Sequence, residues 1–299
     1  MRWAAILRDL GHRVTPMHAY DGRPYDVLVA LHARKSASAV RDFRAACPEG
    51  TVIVALTGTD LYPDLETAGV DLAVLAAAAR LVVLQPAGAA QLPDALRPRT
   101  RVITQAVPPI PRQRPRSDCF EVAFLAHLRP VKDPLRLAAA VRLLPTASRI
   151  RVTHAGAAYT DELTAEASAE SARNPRYDWL GPLPRDEALR VLARSRVLAL
   201  TSLHEGGANV VSEALAAGVP VVSSHIPGSV GLLGDDYPGY FPVGDAEALA
   251  RLLDLVERNE EGRYDDLVER CASLGGLVDP ARERDAWRGL LADLPTGGA

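Results

Sequence analysis

Thr201-Ser202-Leu203-His204-Glu205-Gly206-Gly207-Ala208-Asn209-Val210-Val211-Ser212-Glu213-Ala214-Leu215-Ala216-Ala217-Gly218-Val219-Pro220-Val221-Val222 is the stretch that decides the fold. An apolar run, Val197 to Leu200, precedes it and reads as a buried strand. From Ala208 onward, Val210, Val211, Ala214 and Leu215 recur with the period of an amphipathic helix. Gly218 is placed to end that helix, and Pro220 cannot continue it. The pattern is strand, glycine-rich turn, helix, strand. Backbone N–H groups at such a helix start lack intrahelical partners and bind phosphate well. Glu205 falls in the loop at the strand end, and Glu213 is expected about two turns into the helix, roughly 8–12 Å away at 1.5 Å per residue. A nucleotide sugar fits that separation. Sugar hydroxyls would lie at one carboxylate and ribose hydroxyls at the other, with the diphosphate at Gly206, Gly207, Ala208 and Asn209. A tight turn and a solvated helix face account for either glutamate alone. The pair, with glycines between and a buried strand before, points to a site.

Working outward, the same alternation of strand and helix fills the chain. Met1–Leu10 reads as an amphipathic helix closed by Gly11, and His12–His18 and Asp26–Leu31 read as strands. A helix over Lys35–Ala46, a strand over Thr51–Leu56, a helix over Val70–Ala79 and a strand over Leu81–Leu84 follow. Ala87–Ala95 is expected as a short helix and Arg101–Thr104 as a strand. Residues 108–116, PPIPRQRPR, form a stiff linker and mark a domain boundary. Beyond it, strands at Glu121–Ala126, Arg149–His154, Tyr177–Leu180 and Val197–Leu200 alternate with helices at Asp133–Leu143, Tyr159–Ala172 and Arg185–Ala193. After the 201–222 segment, a helical region runs from Ala246 to Leu294, broken near Gly275-Gly276. Alternation of this kind predicts parallel sheets covered on both faces, hence an α/β chain of two doubly wound domains. Such a domain opens on a strand, whereas this chain opens on a helix. The expectation is that the first strand and its loop are missing, with Met1 an internal residue of the natural protein.

Other chemistry-bearing clusters fall at strand ends. His127, Arg129 and Lys132 sit between a strand and a helix that carries Pro134 in its first turn, and can converge on an anion. Thr57, Gly58, Thr59 and Asp60 follow a buried strand, at the edge where open α/β sheets bind ligands; an Asx-type turn is the plainer alternative. Leu183, in Leu180-Gly181-Pro182-Leu183-Pro184, lies at either a turn or a base-contacting loop. His204 and His225 are lone histidines, a class more often structural than catalytic. No Ser-His-Asp order, zinc spacing or P-loop is present, and the glycine pair does not make a GxGxxG motif, which disfavours a nicotinamide enzyme.

Composition narrows the class. The chain has 299 residues, 48% of them apolar, enough for two ordinary domains. A net charge of −3 argues against a general nucleic-acid or membrane-surface binder. Cys47, Cys119 and Cys271 are widely spaced, form no metal motif and suit buried thiols in a reducing cytoplasm. No run of about 18 apolar residues exists, so no membrane span is expected, and with charges at Arg2, Arg8 and Asp9 inside the first segment no secretory signal is expected there. Of the 34 basic residues, only Lys35 and Lys132 are lysine, which draws attention to Lys132.

With these motifs in hand, the chain resembles the retaining GT-B glycosyltransferases often called family 4. The resemblance implies two Rossmann-like domains facing across a cleft: residues 1–110 with a C-terminal helix from about 280–299 on the acceptor side, and 117–279 binding the nucleotide sugar. In that family an Arg and a Lys five positions later grip the donor diphosphate. Here Lys132 stands at the Lys position, but His127 stands at the Arg position, with Arg129 two residues on. Glu205 and Glu213 match the paired glutamates, Gly206 and Gly207 the diphosphate turn, and Leu183 the position that contacts the base. The phrases LTGTDLY (56–62), HLRPVKDP (127–134), EGGANVVSEALAAGVPVVSSHIPG (205–228) and DDYPGYFPVGD (235–245) look like the selenosugar synthases of selenoneine biosynthesis. That resemblance implies transfer of a sugar from a UDP-sugar, such as UDP-N-acetylglucosamine, to selenophosphate. No cofactor or metal is implied, the UDP-sugar being a co-substrate.

Selenophosphate is a small trianion whose selenium already carries nucleophilic lone pairs, so a strong general base is not required. The protein would then position its substrates and stabilise departing UDP through Lys132, His127 or Arg129 and the helix start, with Glu205 at the sugar. Thr57, Gly58, Thr59 and Asp60 fall on the acceptor side, where Asp60 is expected to orient neighbours rather than touch an anion. Three rival readings remain: a transferase with a carbohydrate or lipid acceptor, a UDP-sugar binder without turnover, and a sugar-nucleotide epimerase.

Overall fold

The structure, a computed structural model, describes residues 2–295. Its strands form two separate all-parallel sheets, one of four strands and one of six. The chain divides into two compact units. Unit 1 comprises Met1–Ala106, Glu205–Gly207 and Pro280–Ala299, and unit 2 comprises Val107–His204 and Ala208–Asp279.

Unit 1 opens on α1 (Arg2–Asp9), then β1 (Val27–Leu31), α2 (Ala37–Ala46), β2 (Thr51–Ala55) and α3 (Gly58–Leu61). It continues through α4 (Leu72–Ala76), β3 (Arg80–Val83), α5 (Pro86–Ala90) and β4 (Thr100–Val102). The sheet order is β1-β2-β3-β4. One face packs on Phe43, Leu56, Leu61, Leu75 and Leu81. The other packs on Ile53, Val82, Leu7 and Trp287 of the helix Pro280–Ala292. Trp3 meets Trp287 edge-on at 4.9 Å. Buried Glu283 accepts from Trp3 Nε1 at 2.6 Å and pairs with Arg2 at 3.1 Å.

Unit 2 runs β5 (Phe120–Leu125), α6 (Arg136–Arg142), β6 (Ile150–Ala155), α7 (Asp161–Arg173), β7 (Tyr177–Trp179), α8 (Arg185–Arg194) and β8 (Val197–Leu200). Then come α9 (Asn209–Ala217), β9 (Val221–Ser224), α10 (Pro227–Leu233), β10 (Tyr240–Phe241), α11 (Ala246–Glu257) and α12 (Arg263–Leu274). The sheet order is β10-β9-β8-β5-β6-β7. All of β8 and β9 is buried, as strands covered on both faces must be. The chain winds outward from β5 through β6 to β7, then crosses back to β8 and winds the other way. The order therefore reverses between β5 and β8. In open parallel sheets that switch point leaves a crevice at the carboxyl ends of the two strands, where ligands bind.

Several expected elements differ. His12–His18 has no strand: its residues are mostly exposed and lie outside the sheet, so the polar–apolar alternation there has no partner strand to satisfy. The helix expected from Asp133 starts at Arg136, behind a short 3-10 turn at Pro130–Lys132. Asp133, with φ 42°, is the left-handed cap that ends this turn, and Pro134 after it disfavours right-handed helical backbone at 133. The short helix expected over Ala87–Ala95 spans only Pro86–Ala90 and is followed by a 3-10 turn at Asp94–Arg99 that contains Pro98. The last helical region is broken at Asn259–Gly262 as well as at Gly275-Gly276. Helices α3 and α10 and strand β10 were not expected; each is short enough to leave little periodic signal.

His154 ties β6 to its neighbours. Its Nε2 lies 2.8 Å from the Ala126 carbonyl and its Nδ1 2.6 Å from the Tyr177 hydroxyl. A carbonyl only accepts, so Nε2 carries the proton and Nδ1 accepts from the phenol. Burial pushes the imidazole pKa down to about 4. In the unfolded chain it titrates near 6.5, so the unfolded state binds the proton more readily. The stability this group confers is complete above about pH 6.5 and is lost as pH falls toward 4, a loss of about 2–4 kcal/mol. Urea midpoints at pH 7 and pH 4.5 measure it. His154→Gln should flatten the difference, and an equal slope in that variant would contradict the assignment.

Candidate functional site at the carboxyl edge of the second sheet

The two strands at the switch point end in loops joined backbone to backbone. Thr201, directly after β8, donates its hydroxyl toward the carbonyls of Lys132 and Asp133 at 2.8 and 3.0 Å. Leu203 N donates to Val131 O at 2.8 Å, and Ser224, ending β9, donates its hydroxyl to Ser202 O at 2.6 Å. The 3-10 turn that carries Lys132 is thereby fixed against the exit of β8. Asp133 Oδ2 accepts from Arg136 at 2.8 Å, closing the turn onto α6.

On its other side the β5 exit is fixed to the β6 exit. Leu128 bridges Ala158 in parallel, with Leu128 N to Ala157 O at 2.9 Å. Ala157 N donates to His127 Nδ1 at 3.1 Å, so exposed His127 is oriented with its protonated Nε2 turned away from that contact. The Arg129 guanidinium stacks 4.8 Å over the Tyr159 ring, a cation–π contact that holds the cation in place. This approach of the two loops requires glycine at 156, where a Cβ would stand 1.9 Å from Ala126 O.

Helix α9 starts at Asn209, with Ala208 at the cap position. An alanine side chain cannot accept the first N–H groups of a helix, which leaves them for another acceptor. The first α9 amide to donate to Ala208 O is that of Val211. Because the helix starts at Asn209, Glu213 is its fifth residue, just over one turn in and not two. Its carboxylate meets the Arg185 guanidinium at 2.6 Å, half-buried against an exposed partner. Leu183, in the loop before α8, is half-buried against the core.

Glu205, Gly206 and Gly207 are grouped with unit 1, next to Gly58. A Cβ on Gly206 would lie 2.2 Å from Gly58 N, and one on Gly58 2.5 Å from Gly206 N, so the two backbones touch. Of the acceptor-side residues, Asp60 is fully buried and Thr59 exposed. Asp60 accepts from Thr57 N at 2.8 Å and Thr57 Oγ1 at 3.1 Å, closing a capping box on α3.

The expected residues thus fall into three groups. His127, Arg129 and Lys132 share one loop of unit 2 at the switch point. Ala208, Asn209 and Glu213 open α9, with Leu183 before α8. Thr57, Gly58, Thr59 and Asp60 join Glu205–Gly207 in unit 1. An open cavity of about 550 Å³ lined by His225, Asp235, Tyr240, Phe241, Pro242 and Val243 holds none of them. Sequence reasoning missed Thr201, Gly156, Tyr159 and Arg185. Arg185 directly follows the Leu183-Pro184 pair and was readable there. Among the described residues, no cluster of three or more His, Cys, Asp or Glu is placed to hold a metal ion, and no helix is long and apolar enough to cross a membrane.

Residues 110–272, more than half of the chain, match the family model of glycosyl transferases group 1. The chain belongs to that family. It is similar to the D-inositol 3-phosphate glycosyltransferase of Corynebacterium glutamicum (strain R), with 31% identity over 195 residues, 59% of this chain and 45% of that protein. The lipopolysaccharide core biosynthesis glycosyltransferase LpsE of Rhizobium meliloti is 33% identical over 113 residues, 37% of this chain and 33% of that protein. The chain spans less than half the length of the curated relatives it matches. Anabaena HepE, solved in complex with UDP, superposes with TM-score 0.76 at 17% identity, covering 90% of this chain and 79% of that one. The trehalose-6-phosphate synthase OtsA gives TM-score 0.70 at 15% identity, covering 89% and 71%. The fold is α/β with two parallel sheets, of the GT-B type found in those structures.

For this group 1 chain the tight approach at Gly156 is open to test. Gly156→Ala must push Ala126–Leu128 away from Ala157–Tyr159, at a cost of about 1–3 kcal/mol. Thermal unfolding should register the loss. An unchanged midpoint would show that the loops are not held as close as described.

Proposed function

We propose that this chain carries the donor-binding and transfer machinery of a glycosyltransferase using a UDP-sugar such as UDP-N-acetylglucosamine. The observation that carries the reading is the coincidence at one switch point of the Lys132 turn, locked by Thr201, and the uncapped start of α9. The cationic turn and the helix N-terminus both suit a diphosphate. Glu213 and Arg185 suit a ribose, whose hydroxyls can donate to the one and accept from the other. Leu183 suits the base, Gly206 and Gly207 the diphosphate turn, and Glu205 the sugar. The UDP-bound state of HepE, a structure of the same fold, agrees with a UDP-sugar donor.

For the acceptor we propose selenophosphate, and a selenosugar as the product. The support is the resemblance of four long phrases in the sequence. In the reaction, a selenium lone pair forms the bond to the anomeric carbon. The bond from that carbon to the diphosphate oxygen breaks, and its electrons leave with UDP. Water then cleaves the selenium–phosphorus bond and releases phosphate. Lys132, Arg129 and His127 stabilise the charge that builds on the departing UDP. A second reading has an alcohol as acceptor, since the curated relatives are named for inositol phosphate and lipopolysaccharide core. A cytoplasmic location fits selenophosphate, a small soluble metabolite.

UDP release from UDP-N-acetylglucosamine with selenophosphate, with D-inositol 3-phosphate and with neither separates the readings. The proposal expects release that depends on selenophosphate. Release with neither acceptor present, or with inositol phosphate alone, contradicts it. Lys132→Ala and Glu213→Ala should each weaken UDP binding by about 1.5–3 kcal/mol, roughly 10- to 100-fold. Calorimetry showing wild-type UDP affinity in both would remove the donor site from this edge.

A further inference from the structure

Unit 1 holds a chain of polar contacts that the reading above does not use. His32 directly follows β1, at the carboxyl edge of the four-stranded sheet, and is buried with φ 74°. A non-glycine residue in left-handed backbone is held there by its surroundings. Asp60 Oδ1 lies 2.6 Å from His32 Nδ1, and Thr59 Oγ1 lies 2.9 Å from His32 Nε2. Thr59 itself is exposed. The result is a buried carboxylate, a buried imidazole and the hydroxyl of an exposed threonine in line.

The hydrogen positions follow from the partners. The Asp60 carboxylate accepts from Thr57 N, from Thr57 Oγ1 and, at 3.3 Å, from Arg34 N. Its short contact to Nδ1 therefore needs a proton on Nδ1. Lys35 N also approaches Nδ1, at 3.4 Å, but a protonated Nδ1 cannot accept, so the contact to Asp60 defines this nitrogen. Burial lowers the imidazole pKa against the opposing pull of Asp60, with Lys35 and Arg34 acting in the same direction as burial. A neutral ring protonated on Nδ1 has a lone pair on Nε2, and the Thr59 hydroxyl must donate to it. The outward face of Thr59 Oγ1 is then an acceptor.

We infer that His32 is a positioning residue that holds the Thr59 hydroxyl as a hydrogen-bond acceptor for an O–H of the acceptor substrate, with Asp60 fixing the ring tautomer. The inference rests on the placement of Thr57–Asp60 at the acceptor side in the proposed function. The O–H it receives belongs to an alcohol or to the monohydrogen form of selenophosphate. A fully deprotonated anion would instead face an oxygen lone pair. When His32 is protonated the polarity inverts: Nε2 donates to Thr59, the hydroxyl hydrogen turns outward, and the bound O–H loses its partner. Acceptor affinity must therefore fall as pH drops through the titration of His32. The charged groups that act on the His32 ring are Asp60 and, on its own loop, Arg34 and Lys35.

Two measurements test this. The first is the 15N spectrum of the free, histidine-labelled chain at pH 7.5, with His32 assigned by His32→Gln. The expected signature is a neutral ring protonated on Nδ1; a ring protonated on Nε2, or on both nitrogens, overturns the inference whether or not the chain binds UDP. The second is UDP release from UDP-N-acetylglucosamine with selenophosphate or with glycerol as acceptor. Thr59→Val should raise the acceptor KM about tenfold or more at unchanged UDP affinity, and Thr59→Ser should restore it. The wild-type acceptor KM should rise as pH falls, and the Thr59→Val value should not. Whichever probe responds identifies the source of the O–H. A wild-type acceptor KM in Thr59→Val, the same pH dependence in both proteins, or release with neither probe overturns the inference. Failure of the wild-type chain to bind UDP overturns the donor reading instead, and the ring tautomer still decides this one.

Discussion

The hydroxyl of Thr201 and the carbonyls of Lys132 and Asp133 form the contact on which the second unit's chemistry depends. A parallel sheet whose order reverses must splay its loops apart at the reversal, between β5 and β8 here. Loops that splay are mobile unless something fixes them. Thr201 and the Leu203–Val131 pair fix them through the main-chain carbonyls of residues 131–133. Gly156 allows the β6 exit to close from the other side, and Tyr159 then provides a surface on which Arg129 rests. The cations are thus held by backbone bonds, stacking and a glycine. The carboxylate of Glu213 also meets a cation, the exposed guanidinium of Arg185, and an exposed pair of this kind exchanges partners readily when a hydroxylated ligand arrives.

Much of this was legible in the sequence because it follows from local pattern. The run Val197–Leu200 is a strand at the positions expected, and the helix after Gly206-Gly207 begins within a residue of Ala208 and ends at Gly218, whose φ of 63° is the left-handed cap that glycine supplies. Two separate parallel sheets follow from strand and helix alternation around a proline-rich connector. Boundaries failed where proline chemistry outweighed periodicity, as at Asp133, and where alternation had no partner strand, as at His12–His18. Long-range side-chain partners were out of reach. Nothing in the spacing of Arg185 and Glu213, or of His32 and Thr59, announces contact, because each pair is joined only once the parallel strands bring their carboxyl ends to one edge.

The first unit makes the same point about polarity. The segment Thr57–Asp60 reads equally as an Asx-type turn or as a ligand loop, and in the structure it forms the capped start of α3. Asp60 does turn chemistry by capping α3 through Thr57. The same carboxylate orients His32, and His32 orients Thr59. One buried charge thereby organises a short helix and an exposed hydroxyl together. The departure of His127 from the arginine of the family pattern has a structural counterpart as well. The His127 ring is committed through Nδ1 to the β6 loop, while the permanent positive charge is carried two residues on by Arg129.

The central claim is that the carboxyl edge of the six-stranded sheet, at the β5–β8 switch point, is where the nucleotide sugar binds. Amide hydrogen exchange with and without saturating UDP-N-acetylglucosamine tests it most directly. Residues 126–132, 201–204 and 208–213 should exchange more slowly with ligand, together with the loop before α8 at 180–185. Protection confined to the cavity around His225 and Tyr240, or no change at the switch point at ligand concentrations that saturate binding, would contradict it.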